Sequence, residues 1–529
     1  MAATKAGAMR ARTYPLTATC RKAASLLSVG LVLLGGCRVG PKYVAPNAPA
    51  PPAFKESSPD GYAQAPAGTW QPANPQDAAL KGKWWEMFHE PELNALEEQL
   101  DINNQNIAEY FQNFMAARDL VREARAGYYP TVTTDPSFSR QRTPSTLRNT
   151  GVATGTGTTG TVSSSGSTST VLSLPIDASW EPDLWGKIRN TVREYQNAAQ
   201  VSAADLENER LTEQADLAEY YFQLRGQDAL QDLYNKTIDA DRKALDLTKA
   251  LYQTGIDNDE AVAQAEVTLK NAEEAGTGIA TNRAIYEHAI ATLIGKPASS
   301  FSLPVKSLAT PVPAIPVGVP SELLQRRPDI AAAERTMSEA NALIGVEKAA
   351  YYPNVSLTGG GGLESSSISS LFGLPALFWS VGASASQTLF DAGLRRATVA
   401  QYTAQYNADN AAYRQTVLTA FQQVEDYIAT LRVTSAQIVR EDEAVSSAQR
   451  YLQIANSRYE TGLDPYLDVI SAQTNLLSDQ QTQVVLHVND MTAAAELVQA
   501  LGGGWNVSQL PSASSVTSGA AEKKVSNTP

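Results

Sequence analysis

The chain has 529 residues, 43% of them hydrophobic and 18% charged, and its 42 Lys and Arg against 55 Asp and Glu give a formal charge of −13. That acidic balance gives no basis for a nucleic-acid partner, because phosphate binding needs clustered cations. Two cysteines in such a length exclude a disulfide-built scaffold.

Residues 1–36 carry Lys5, Arg10, Arg12, Arg21 and Lys22 with no acid, then an apolar run from Ala23 to Leu34. This is a signal-peptide layout, too short and wrongly flanked for a stop-transfer span. The leader ends in Leu33-Leu34-Gly35-Gly36-Cys37, which resembles the bacterial lipobox, where the Cys becomes the acylated first residue. Arg38 follows, not the Asp that usually retains lipoproteins in the inner membrane, so Cys37 is expected to anchor the mature chain in the outer membrane. The alternative is an ordinary signal peptide with a chance Cys. Cleavage leaves 37 cations (42 less five) against 55 acids, a formal charge of −18. Cys20 departs with the leader and Cys37 carries lipid, so no disulfide remains possible. Residues 37–84 read as a Pro-rich anchored segment. Beyond them no run reaches the ~18 apolar residues of a spanning helix, so any membrane crossing must be a closed β-barrel.

The rest of the chain is an internal duplication. Tyr252-Gln-Thr-Gly255-Ile256-Asp257 reappears as Tyr459-Glu-Thr-Gly462-Leu463-Asp464, and the same spacing joins Gly186 to Gly393 and Tyr220 to Tyr427. Tyr128-Tyr129-Pro130 matches Tyr351-Tyr352-Pro353, with the extra residues of the first copy falling in the Gly/Ser/Thr tract 143–170. The copies are expected over 85–297 and 325–505, with a linker at 298–324 and a disordered tail at 506–529. Each should hold a helix ending at the Tyr-Tyr-Pro motif, two strands, one very long helix, a tight turn and a second helix.

The first copy's strands are expected at Thr131–Arg140 and Leu172–Trp180, the second copy's at Asn354–Leu363 and Trp379–Leu389. Trp379, Val381, Ala383 and Ala385 alternate with Ser380, Gly382, Ser384 and Ser386. Period two, apolar on one face and small or polar on the other, with a Trp at one end, is the pattern of a transmembrane barrel strand. Gln387 is a blemish in it. The tract 143–170 and the segment 364–378 become exposed loops. Four strands cannot close a barrel, whereas three chains would give twelve, which can. No proline interrupts 187–296 or 394–464, which predicts long helices over Lys187–Tyr252 and Leu394–Tyr459, each about 100 Å at ~1.5 Å per residue. Such lengths mean coiled-coil packing, and a seam diluted by Ala, Gln, Asn and charge suits the wall of a hollow helical barrel.

Glu181-Pro-Asp-Leu-Trp-Gly-Lys-Ile-Arg189, Leu389-Phe-Asp-Ala-Gly393, Arg326-Arg-Pro-Asp-Ile330 and Arg458-Tyr-Glu-Thr-Gly462-Leu resemble the outer-membrane factor family, the TolC-like proteins. The leader and Val39-Gly-Pro-Lys-Tyr43 resemble its lipoprotein branch of NodT/OprM type. The resemblance spans about 88–505 plus the leader. It implies a mostly α fold with a membrane β-barrel: a homotrimer with a twelve-stranded barrel and a periplasmic helical tunnel. Its implied partners are a periplasmic adaptor and an inner-membrane pump, usually a proton-driven RND transporter. It implies a passive exit channel for efflux, with heavy-metal efflux and type I protein secretion as alternatives within the family. A lipid-anchored coiled-coil scaffold is the alternative of another class.

No catalytic constellation stands out, so no enzyme activity and no cofactor is expected. Gly155-Thr-Gly157-Thr-Thr-Gly160 spells GxGxxG inside low-complexity sequence and opens no helix. His89, His288 and His487 lack metal-ligand spacing. The informative chemistry lies at the two helical turns. Asp257 is expected to cap the following helix with Glu260 reaching back, and Asp464 to cap its counterpart with Pro465 at the first helical position. Asp259, Glu260 and Asp468 fall in or near the first turns, where acids complement the helix dipole. By resemblance, Asp468 aligns with an acidic constriction ring at the periplasmic entrance, with Arg458, Tyr459, Asp257 and Asp259 beside it as the lock. The repeated tips Thr254-Gly255 and Thr461-Gly462-Leu463 are the expected adaptor contacts.

Overall fold

The computed structural model describes residues 38–47, 50–56, 82–144, 167–307, 312–318 and 320–517. The leader and Cys37, most of the loop tract 143–170 and residues 518–529 lie outside the described residues; the rest of the tail expected to be disordered from 506 instead carries a short helix at Ala513–Thr517, and the Pro511 carbonyl accepts from the Gln200 amide at 2.9 Å. Helices α1 (Pro91–Asn103) and α2 (Gln105–Ala126) lead into strands β1 (Thr131–Thr133), β2 (Ser137–Thr143) and β3 (Ser167–Trp180). Helices α3 (Lys187–Gln253) and α4 (Asp259–Leu293) complete the first series. The second series is α5 (Pro328–Ala349), β4 (Asn354–Ser365), β5 (Leu377–Ser386), α6 (Leu394–Glu460) and α7 (Tyr466–Ala500). The paired long helices match in length, 67 residues for α3 and α6 and 35 for α4 and α7. Both long helices run one residue past the expected end.

The chain forms two compact units, and each draws on both copies. One unit holds the strands. They make a single antiparallel sheet in which β1 and β2 both pair with β3, β3 with β4, and β4 with β5. The expected strand at 131–140 is therefore two pieces, broken around Pro136, whose missing N–H cannot join the ladder. The expected Trp379–Leu389 strand starts at Leu377 and stops at Ser386. Gln387 thus leaves the sheet, and its amide donates to the Tyr351 carbonyl at 3.1 Å. The loop expected at 364–378 is narrower, because β4 runs to Ser365; it contains a one-turn helix at Ile368–Leu371.

Ile176, Gly361 and Trp379 lie side by side across β3, β4 and β5, so Ile176 and Trp379 share a face with the glycine between them. Val132, Phe138, Ile176, Trp379 and Val381 are all more than 60% exposed. A sheet whose apolar face meets no protein is built for another apolar medium.

The motifs flanking the sheet have structural work. Asp183 accepts from the Ile188 and Arg189 N–H groups at 3.1 and 3.0 Å and from Arg189 Nε at 2.9 Å, which caps α3. Asp391 does the same for α6 with the Gly393 N–H at 3.0 Å and Arg395 Nε at 2.6 Å. The Arg395 guanidinium holds the Asp391 carboxyl below the usual range. Trp185 stacks on Tyr352, with centroids 4.9 Å apart, and its indole N–H donates to Pro353 at 2.8 Å. The second copy's Tyr-Tyr-Pro turn is thereby fastened to the first copy's Trp-Gly motif.

The other unit is helical. Its core is Trp84, Phe88, Leu93, Leu100, Leu217, Tyr221, Phe222 and Ile290, all essentially inaccessible, each large apolar side chain contributing about 1.5–3 kcal/mol of burial. Gly226, the lone interior glycine of the two long helices, marks a close approach: a Cβ there would stand 2.5 Å from Val488 Cγ2 on α7. Nearby, buried Arg225 bonds Asp228 at 2.9 Å and Glu92 at 2.6 Å, while Arg283 bonds Asp228 at 2.7 Å. Arg225 and Arg283 also donate to the Pro304 and Leu303 carbonyls at 2.7 and 2.8 Å, which ties the inter-copy linker to α1, α3 and α4.

Candidate functional site

The two tight turns that end α3 and α6 form the candidate site. In each, a glycine at positive φ stops the helix: Gly255 at 75° and Gly462 at 71°. The Gly255 N–H bonds the Tyr252 carbonyl and the Ile256 N–H the Leu251 carbonyl, both at 3.0 Å. The Gly462 and Leu463 N–H groups repeat this at 2.9 Å with Tyr459 and Arg458. This is a Schellman-type ending, in which only glycine adopts the left-handed turn without strain. A Cβ at either glycine would meet nothing within 4 Å, so both turns present open surface. Thr254 and Thr461 are exposed too, each hydroxyl bonded to carbonyls of its own helix at 2.9–3.3 Å. Leu463 is 69% exposed. All five expected contact residues therefore stand at the surface.

The caps differ from expectation. The N-cap of α4 is Asn258, whose side chain accepts from the Ala261 N–H at 2.9 Å. Glu260 does not reach back but accepts from Gln264 at 3.4 Å. Helix α7 starts at Tyr466 with Pro465 as N-cap and no side-chain cap, so Pro465 sits one position before the expected one. The two carboxylates expected to cap are engaged elsewhere. Asp464 pairs with Arg458, with Nη2 to Oδ1 at 2.8 Å and a second contact through Nε. The guanidinium holds the Asp464 carboxyl below the usual range. Asp257 accepts from the Tyr459 hydroxyl at 2.7 Å.

The Tyr459–Asp257 bond links the two copies of the duplication. The Tyr459 ring is buried against Tyr466 at a centroid distance of 5.2 Å, in a core with Leu245, Ala261, Leu269 and Val469. Its hydroxyl also lies 3.1 Å from Thr248 Oγ1 on α3. Burial, reinforced by the Asp257 carboxylate, pushes the phenol up to about 12, so it remains a neutral donor at any physiological pH. Leu251, the first-copy counterpart of Arg458, packs against this core and carries no charge.

Asp259 and Asp468 lie in the first turns of α4 and α7, Asp259 exposed and Asp468 half-buried. Arg458 feels the Asp468 charge in addition to that of Asp464. The turns thus gather Tyr459, Asp257, Arg458, Asp464 and Asp468 around one end of the helical unit. Sequence reasoning missed Asn258 as the cap and the pairing of Asp464. Asn ranks with Asp as an N-cap, so residue type does not separate the neighbours Asp257 and Asn258; a pairing six residues apart across a turn follows no helical spacing.

A sheet with an apolar outward face, joined to paired helices of 67 and 35 residues, is the architecture of an outer-membrane channel subunit. Among the described residues no helix is long and apolar enough to cross a membrane. The family model described as outer membrane efflux protein matches residues 96–296 and 319–503. The chain is 30% identical over 487 residues to the antibiotic efflux pump outer membrane protein ArpC of Pseudomonas putida, covering 91% of this chain and 96% of that one. It is equally similar, over the same lengths, to the toluene efflux pump outer membrane protein TtgC, also of Pseudomonas putida. Among solved structures, the outer-membrane channel OprN superposes with a TM-score of 0.76 at 27% identity, covering 89% of this chain and all of that one. The chain belongs to the outer membrane efflux protein family.

Proposed function

We propose that this chain is one subunit of a homotrimeric exit channel that passively conducts small molecules from an inner-membrane RND-type pump and a periplasmic adaptor to the cell exterior. The observation that carries this reading is the open sheet. Its four rows of strands leave β5 and the β1/β2 row with unpaired edges among the described residues, while the face is apolar and exposed. Open edges do not persist in hydrocarbon, and four strands are too few to close on themselves. Three chains supply twelve strands and remove every edge. The long helices then line a periplasmic tunnel whose mouth carries three copies of Asp468. The antibiotic and toluene named for the relatives support small-molecule efflux over protein secretion.

In this reading the tips perform two tasks. The Tyr459–Asp257 bond and the Arg458–Asp464 pair hold each tip's turns together and keep the mouth shut. Thr254, Gly255, Thr461, Gly462 and Leu463 receive the adaptor, because flush glycine turns admit close backbone approach. Cys37 carries the lipid anchor, adding attachment to a barrel that already holds the membrane. The test is reconstitution of purified protein: a heat-dissociable trimer that conducts in planar bilayers supports the channel, and a monomer without conductance refutes it. Loss of lipid labelling in Cys37→Ser, with the trimer intact, supports the anchor; labelling that persists refutes it.

A further inference from the structure

A cleft of about 780 Å³ runs between α3, α4 and α7, from Glu260 and Leu467 in the first turns of α4 and α7 back to Ala275 and Leu477. Its walls are mainly apolar, with Val267, Ala272, Leu467, Ile470 and Leu477 among them. Asp241 of α3 also lines it, only 2% exposed, with Oδ1 accepting from the Gln473 amide and Oδ2 meeting no hydrogen-bond partner. An unpaired carboxylate in such a place costs free energy unless something satisfies it.

Packing does not require the acid. The equivalent position in the second copy is Ala448, which is also buried and fills the same helix face with a methyl group. Nor does a neighbour neutralise it. The next residue, Arg242, turns away to Asp239 at 3.3 Å and Glu273 at 3.6 Å. The other ionisable groups facing the cleft are Glu260 on α4, Tyr234 on α3 and, behind it, Tyr466 on α7. None is a cation. Tyr466 is itself pushed up to about 12, by burial and then by the Asp241 charge.

We infer that this cleft is a binding site for a lipophilic monocation, a protonated amine on an apolar body, with Asp241 Oδ2 as its counter-charge. One free carboxylate oxygen suits one ammonium donor, whereas a divalent metal demands several oxygen ligands. Apolar walls of this extent suit an aromatic or alkyl body, and the volume lies in the range of small-molecule sites. Burial pushes the Asp241 carboxyl up to about 6, with the Gln473 bond acting against it. Its ionised fraction therefore rises from about one-tenth at pH 5 to about nine-tenths at pH 7, while the amine stays protonated throughout. Cation binding should strengthen with pH over that window and release a proton at its lower end. The counter-charge of this site, Asp241, precedes Asp257 by 16 residues along the chain, and the site stands whether or not the tip lock is as proposed.

The test titrates the detergent-solubilised full-length protein with 1-naphthylmethylamine, read by its own fluorescence, and with 1-naphthalenemethanol as the neutral isostere. We expect the amine to bind at least tenfold more tightly than the alcohol at pH 7.5 and to lose most of that advantage at pH 5. Asp241→Asn, and Asp241→Ala after the second copy's residue, should each weaken amine binding at least tenfold and leave alcohol binding unchanged. Val267→Trp, which fills the cleft from an exposed position, should weaken both ligands. Assembly and single-channel conductance should be unaffected in all three variants, which separates this site from the channel mouth. Amine and alcohol binding alike, equal amine affinity in wild type and both Asp241 variants, or no binding because a second copy fills the cleft would each overturn the proposal.

Discussion

Tyr459→Phe is the sharpest perturbation of the tip. It deletes one oxygen and keeps the ring that stacks on Tyr466 and fills the core around Leu245 and Val469. What disappears is the 2.7 Å bond to Asp257 and the 3.1 Å contact with Thr248. A hydrogen bond to a charged acceptor contributes about 1.5–3 kcal/mol. Asp257 is half-exposed, so water takes over part of the role and the lower end, about 1.5 kcal/mol per tip, applies. At about 1.4 kcal/mol per factor of ten, the ratio of open to closed states should rise about tenfold if one tip suffices to open the mouth. It should rise about a thousandfold if all three must part together. The assay is the resting open probability of single trimers in planar bilayers. Because the phenol titrates only near 12, the difference between variant and wild type should be the same at pH 6 and pH 8.5. An open probability in Tyr459→Phe equal to that of wild type would show that this bond merely braces one subunit and does not hold the mouth.

Three further outcomes follow from the same geometry. Asp468→Asn should lower cation selectivity and weaken block by multivalent cations, whereas Arg458→Ala, which removes a cation and frees Asp464, should raise cation selectivity; selectivity moving the same way in both would contradict the charge assignment. Bulky side chains at Gly255 and Gly462 should abolish crosslinking to a co-expressed adaptor while the trimer persists, since the added groups point into open surface; unchanged crosslinking and export would remove the tips from the docking surface. Gly226→Ala should lower thermal stability despite alanine's helix preference of about 1 kcal/mol, because the new methyl overlaps Val488 and overpacking costs about 1–3 kcal/mol; a stability gain would mean that Val488 simply rotates aside.

Much of this architecture is legible in the residues because its signals are long. A proline-free stretch ending at a glycine fixes the long helices to within one residue of Gln253 and Glu460. Period-two alternation places all four strand rows. Short-range detail was less legible. Pro136 splits the first strand, and the alternation around Val381 continues in the residues to Leu389 although the backbone leaves the ladder after Ser386. At the tips, cap positions one residue apart are indistinguishable by pattern, so Asn258 and Asp257 exchanged roles. Asp257 and Tyr459 are 202 residues apart and belong to different copies. Their juxtaposition comes from the pairing of the two copies, which no local spacing encodes. The Asp241/Ala448 difference is visible when the copies are aligned, but only packing shows that both positions are buried.

The most direct measurement of the account is the assembly state and conductance of the purified protein together. The account predicts a band of three subunits on electrophoresis that collapses to one on heating, and single channels that open rarely in wild type and often in Tyr459→Phe. A protein that remains monomeric, or trimers that pass no current in either form, would contradict it.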